Sequence, residues 1–216
     1  MNVVEMRGIK KAFTASGGSR RVLDGTDLAV ERGEIVAVAG RSGSGKTTLL
    51  TIVTGWEQPD AGTVVVLGSP AAPDTLSWRD LAIVPQSLGL LDELTVLENI
   101  TLPGRLGGGS GSEVPAALMG RLGLEGLADR FPSEISLGEQ QRTALARAAV
   151  VQPALLLADE PIAHQNRAWA EEMMALLVDL AATGTASLLA THNEIAFDSA
   201  DRILQLDAGR LHLLER

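Results

Sequence analysis

The chain of 216 residues is 45% hydrophobic and 21% charged, which fits one sizeable domain of ordinary globular composition and not a disordered tail. With 18 basic against 27 acidic residues its net charge is −9 at pH 7, which argues against broad binding to a nucleic-acid backbone. Cysteine is absent, excluding disulfides, thiolate metal sites and a cysteine nucleophile.

From the start, Met1 to Arg7 lacks the basic and apolar regions of a signal peptide, and no apolar run reaches the roughly 18 residues that span a bilayer. A cytoplasmic chain is expected. The glycine-rich residues 15–19 predict a hairpin loop between two short strands that carry Phe13 and Val22. Apolar runs at 34–39, 63–67, 81–84, 154–158, 186–190 and 202–206 predict strands, several without the alternation of a half-exposed sheet. Residues 88–133 carry weaker strand signals and predict a mainly helical insertion, within which 106–112 is a glycine-rich flexible connection. Residues 167–182 place Trp169, Met173, Leu176, Leu177 and Leu180 at helical spacing, a pattern of core packing. Strands alternating with helices predict an α/β fold around a mainly parallel sheet.

The chemistry begins after the strand at 34–39. Gly40, Arg41, Ser42, Gly43, Ser44, Gly45, Lys46 and Thr47 match G-x-x-x-x-G-K-[ST] in full, between that strand and a helix-compatible run starting at Thr48. Glycines allow the tight path on which successive N–H groups converge on phosphate oxygens, and a helix N-terminus adds partial positive charge. Lys46 brings a full positive charge to the β- and γ-phosphates, Thr47 offers a hydroxyl to Mg²⁺, and Thr48 offers a backbone donor. The strand at 154–158 runs into Asp159 and Glu160. Adjacent strand residues face opposite ways, so Asp159 suits Mg²⁺ and Glu160 the attacking water.

These motifs, in this order, resemble the ATP-binding subunits of ABC transporters over nearly the whole length. The residues in question are Phe13 (an adenine platform), Gly40 to Thr48 (Walker A), Gln86 after Pro85 (the Q-loop), Ser136 to Arg142 (the signature), Asp159 and Glu160 (Walker B), and His192 (the switch histidine). The stretch from Leu91 to Ile100 looks most like the lipoprotein-release and macrolide-export branch. The resemblance implies a P-loop NTPase core formed by residues 1–86 and 134–216, with an antiparallel β subdomain at the N-terminus. It implies a helical subdomain at 87–133, between Q-loop and signature. It further implies ATP and Mg²⁺ as cofactors, with Thr47, Gln86 and Asp159 around the metal, and hydrolysis by Glu160, His192 and Lys46. A head-to-tail dimer, with itself or a related subunit, would bring Ser136, Gly138 and Gln140 to the partner's γ-phosphate. A separate transmembrane permease would hold the chain at the inner face of the cell membrane.

Plainer readings stand beside these. Phe13 also fits a core position, Gln86 a strand end, His192 a surface histidine, and Ser136 with Glu139 a helix capping box. Rival functions are another P-loop enzyme, such as a small-molecule kinase, and a non-transport ABC ATPase acting on a protein or nucleic-acid complex. The first leaves Gln86, the signature and His192 unexplained together. Three residues depart from the family pattern: Leu137 for the first signature glycine, Asn166 for the carboxylate ending the D-loop, and Asn193 after His192. They bear on hydrolysis rate and dimer contacts.

Overall fold

A computed structural model describes residues 1–15, 18–72, 76–77, 79–106 and 116–214. The glycine-rich connection expected at 106–112 lies outside the described residues apart from Leu106, which ends a helix. Strands β1 (Asn2–Ala15) and β2 (Gly18–Glu31) form a hairpin, and β4 (Ala61–Val66) and β5 (Ser69–Pro70) complete an antiparallel sheet in the order β2-β1-β4-β5. The strands expected to be short are 14 residues each. Register shifts interrupt their pairing, one of them spanning Gly8 at φ 60°, so no single alternating pattern runs through the sequence.

A second sheet has the order β10-β9-β3-β8-β7-β6, parallel except for the edge strand β10. Its strands are β3 (Ile35–Ala39), β6 (Leu81–Val84), β7 (Leu155–Asp159), β8 (Ala186–Ala190), β9 (Arg202–Asp207) and β10 (Arg210–Leu213). Every residue of β3, β7 and β8 is buried, which explains their unbroken apolar runs. Alternation survives in which core each side chain joins. Val36 and Val38 pack with Leu155 and Leu157 and with helix α1 (Lys46–Val53), under the antiparallel sheet. Ala37 and Ala39 pack with Leu156 and Ala158 on the other face, beneath α4 (Leu137–Ala149), α5 (Arg167–Ala182) and α6 (Glu194–Ser199). Side-chain and backbone bonds join the sheets, since Thr26 Oγ1 and Asp24 N–H both donate to the Gly209 carbonyl, at 2.6 and 2.8 Å.

Between β6 and α4 lie α2 (Val96–Leu106), α3 (Ala116–Arg121) and single 3₁₀ turns at Glu125–Leu127 and Pro132–Glu134. Buried Asn99 ties α2 to the preceding loop: its amide donates to the Leu91, Leu94 and Thr95 carbonyls and accepts from Leu91 N–H. α5 covers the span expected of it, and Met173, Leu176, Leu177 and Leu180 enter the core. Trp169 does not. Its ring lies 4.2 Å from the Arg142 guanidinium and so closely over Gly123 that a Cβ there would sit 2.5 Å from it.

Candidate functional site

In a parallel sheet the loops leaving the C-terminal strand ends share one edge, and here that edge gathers the motifs. Residues 40–45 follow β3, Asp159 ends β7, and Thr191 and His192 follow β8. α1 is capped by Gly45 at φ 110°, a left-handed conformation that glycine adopts without strain. A Cβ on Gly45 would also meet the Val22 carbonyl at 3.1 Å, so β2 closes over the loop. Arg20 on the same strand donates to the Gly43 carbonyl at 2.8 Å.

One cavity of about 520 Å³ collects Gly40, Ser42, Gly43, Lys46, Thr47, Gln86, Asp159, Glu160 and His192, a size that suits a small-molecule ligand. Lys46 folds across the loop, its Nζ donating to the Gly40 carbonyl at 2.8 Å and the Arg41 carbonyl at 3.4 Å. Ser44 is half-buried within the loop, and Thr48 is half-buried in α1. Thr47 Oγ1 donates to Asp159 Oδ2 at 2.6 Å. Burial pushes the Asp159 carboxyl above its ordinary value, while the Thr47 hydroxyl draws it back; the Glu160 charge raises it and Lys46 lowers it. A cation placed beside Thr47 and Asp159 would relieve that cost.

Glu160 faces another partner. Its Oε1 lies 2.7 Å from His192 Nδ1, and Thr191 Oγ1 donates to its Oε2 at 3.1 Å. Its backbone takes φ 51°, uncommon for a residue with a side chain, and is pinned at both ends: its N–H donates to the Ala190 carbonyl and its carbonyl accepts from Gln141 Nε2, each at 2.8 Å. The two acids thus have different partners, Thr47 for one and His192 for the other.

Phe13 does not line this cavity. It is 43% exposed, with Lys11 Nζ 5.3 Å from its ring centre, and it pairs across the hairpin with Arg20, which holds the loop. Ser136, Gly138 and Gln140 stand apart at the start of α4. Ser136 is its N-cap in a full capping box: Ser136 Oγ accepts from Glu139 N–H at 3.3 Å, and the Glu139 carboxylate accepts from Ser136 N–H at 2.7 Å. The Ser136 hydroxyl, then its N–H, holds the Glu139 carboxyl below its ordinary value. Gln140 turns its amide to the Pro132 and Ile135 carbonyls, at 2.9 and 3.3 Å. Leu137 opens α4 without a left-handed backbone, so its side chain costs nothing in backbone torsion.

The sequence assigns no task to Arg20 or Gln141 and offers no context that makes His164 a metal ligand, although Gln141 and His164 line the cavity and Arg20 braces its loop. Gln141 lies within the signature, whose pattern gives it no task of its own. For Arg20 no local pattern offered a signal.

A family model for ABC transporters matches residues 23–163. The chain is 40% identical to the lipoprotein-releasing system ATP-binding protein LolD of Ruegeria pomeroyi, with 96% of each chain covered. It is 38% identical to the sulfate/thiosulfate import ATP-binding protein CysA of Bordetella parapertussis, covering 96% of this chain and 60% of that protein. Among solved structures, a dimeric post-hydrolysis state of the ATP-binding cassette MJ0796 bound to ADP and Pi superposes with a TM-score of 0.89 at 28% identity, covering 98% of both chains.

Proposed function

This chain belongs to the ATP-binding subunits of ABC transporters, and from that premise we propose how its residues divide the work. The chain is an ATPase motor subunit that binds ATP, hydrolyses it and serves a transporter whose membrane path lies in a separate permease. Among its described residues no helix is long and apolar enough to cross a membrane. Phosphoryl transfer calls mainly for positioning and charge stabilisation. Lys46 and the N–H groups of residues 40–47 meet the β- and γ-phosphates, drawing Lys46 off the loop carbonyls that now hold it. The Thr47 hydroxyl, the Asp159 carboxylate and the Gln86 amide oxygen form an oxygen-only donor set, which fits Mg²⁺; bound there, the ion supplies charge neutralisation at the phosphates. Glu160 takes the proton of the attacking water, and His192, held on Glu160, faces the γ-phosphate.

Phe13 offers its exposed face to the adenine. Ser136 and Gly138 present the N-terminus of α4 to the nucleotide of the other subunit in a head-to-tail dimer. Residues 87–133 face the permease, which holds the subunit at the inner membrane surface. The match to LolD, which spans both chains almost end to end, supports the lipoprotein-release branch.

The observation that carries this reading is the split of the two neighbouring acids, Asp159 to Thr47 and Glu160 to His192, across one cavity. Glu160→Gln tests it. The variant is expected to bind Mg²⁺-ATP while its turnover falls by about 10²–10⁴-fold, the usual loss with a general base. Wild-type turnover in a steady-state ATPase assay would move the catalytic role elsewhere.

A further inference from the structure

We infer that Gln165 is a positioning residue that locks the turn bearing Glu160 to the first turns of α4; the inference rests on the two-site reading above. Gln165 lies four residues beyond Pro161, in the loop between β7 and α5, and among the described residues the hydrogen bonds of its amide go to α4. Its Nε2 donates to the Gly138 carbonyl at 2.8 Å and to Gln141 Oε1 at 3.2 Å, and its Oε1 accepts from Arg142 NH1 at 3.0 Å. Gln141 extends the link in the opposite direction. It is 2% exposed, accepts from His164 N–H at 3.1 Å and donates to the Glu160 carbonyl at 2.8 Å.

Glu160 and Gly138 are therefore joined through two amide side chains. Close approach makes this possible, because a Cβ on Gly138 would meet the His164 carbonyl at 3.1 Å. Trp169 stacks on the Arg142 guanidinium and holds it toward Gln165. Only a side chain that both donates and accepts satisfies the Gly138 carbonyl and Arg142 at once, which glutamine does and an aliphatic residue does not. The strained Glu160 backbone is held from the same side. In a head-to-tail dimer, Glu160 belongs to one nucleotide and the first turn of α4 to the other, so Gln165 fixes the backbone turn that carries the hydrolytic Glu160 of one site against the anion-binding turn of the second.

The test compares the full chain with Gln165→Leu and Gln165→Glu in three measurements: thermal unfolding, ATP affinity and single-turnover hydrolysis at saturating ATP. Gln165→Glu keeps the length and the Arg142 partner but loses the donor to Gly138. Both variants are expected to bind ATP within about twofold of wild type and to hydrolyse it about tenfold more slowly, the scale of one or two neutral hydrogen bonds. Wild-type hydrolysis by either folded variant would overturn the inference, as would a rate loss matched by an equal loss of ATP affinity. Should Gln165→Leu fail to fold, the near-isosteric Gln165→Glu decides alone. A wild-type chain unable to bind ATP would instead overturn the site reading and this inference with it.

Discussion

Lys46 shows at the scale of one residue how the site is poised. Its ammonium is held by the Gly40 and Arg41 carbonyls, partners that a phosphate would displace. Lys46→Ala removes the full positive charge from the loop but leaves the helix-capping backbone of Gly45 in place. The expected result is loss of ATPase activity and at least about a tenfold loss of ATP affinity, in proportion to a charge-assisted hydrogen bond, with an unchanged circular dichroism spectrum. ATP titration by calorimetry checks it, and unaltered affinity would remove Lys46 from the site. The residues brought to this cavity by motif spacing were legible because each lies at or beyond the C-terminal end of a strand, and parallel strands deliver those ends to one edge. The residues that hold them were not. Arg20 reaches Gly43 from a different sheet, and Gln165 reaches Gly138 across 27 positions of sequence, so neither contact leaves a local pattern.

The elements divide in the same way. Strands covered on both faces announced themselves by unbroken apolar runs, and α5 by its spacing. The β1–β2 hairpin was only half legible, since register shifts break its alternation while leaving the strand itself continuous. Helix α4 carries a testable local feature, the reciprocal cap between Ser136 and Glu139. Ser136→Ala is expected to lower stability by about 1 kcal/mol, as loss of an N-cap does. The hydrogen bonds from Ser136 depress the Glu139 carboxyl below its ordinary 4.5. A depressed carboxyl adds stability above its unfolded value and loses it as pH falls through its folded value. Glu139→Ala should therefore melt below wild type at neutral pH, and the gap should shrink once the medium is acidified below about 4.5. A gap that stays constant across that range would assign the effect to packing rather than to the charged cap.

At the scale of the whole molecule, two cores cover the two faces of the parallel sheet and leave its C-terminal edge and the start of α4 as separate surfaces of one chain. In the head-to-tail dimer proposed above, one surface would meet the other, with Leu137 at the meeting point. The family pattern has glycine there, but the backbone of Leu137 is not left-handed, so its effect must come from bulk and not from torsion. Its side chain is 48% exposed at the first position of α4, beside the capping Ser136. In that proposed dimer the bulk would lie where helix N–H groups approach a γ-phosphate, and an anion held farther away gains less from the helix terminus, whose influence falls off within a turn. Leu137→Gly is expected to strengthen ATP-driven dimerisation, measured by light scattering in the slow-hydrolysing Glu160→Gln background. It is also expected to raise steady-state turnover in the chain with Glu160 intact. The cost is a lower melting temperature, because glycine in a helix is worth about 1 kcal/mol less than alanine, and less than that so near an end. Stability and assembly then move in opposite directions, which a general loss of structure would not produce. If dimerisation and turnover both stay at wild-type levels, with and without the permease, the bulk of Leu137 is accommodated at the interface and steric hindrance is ruled out.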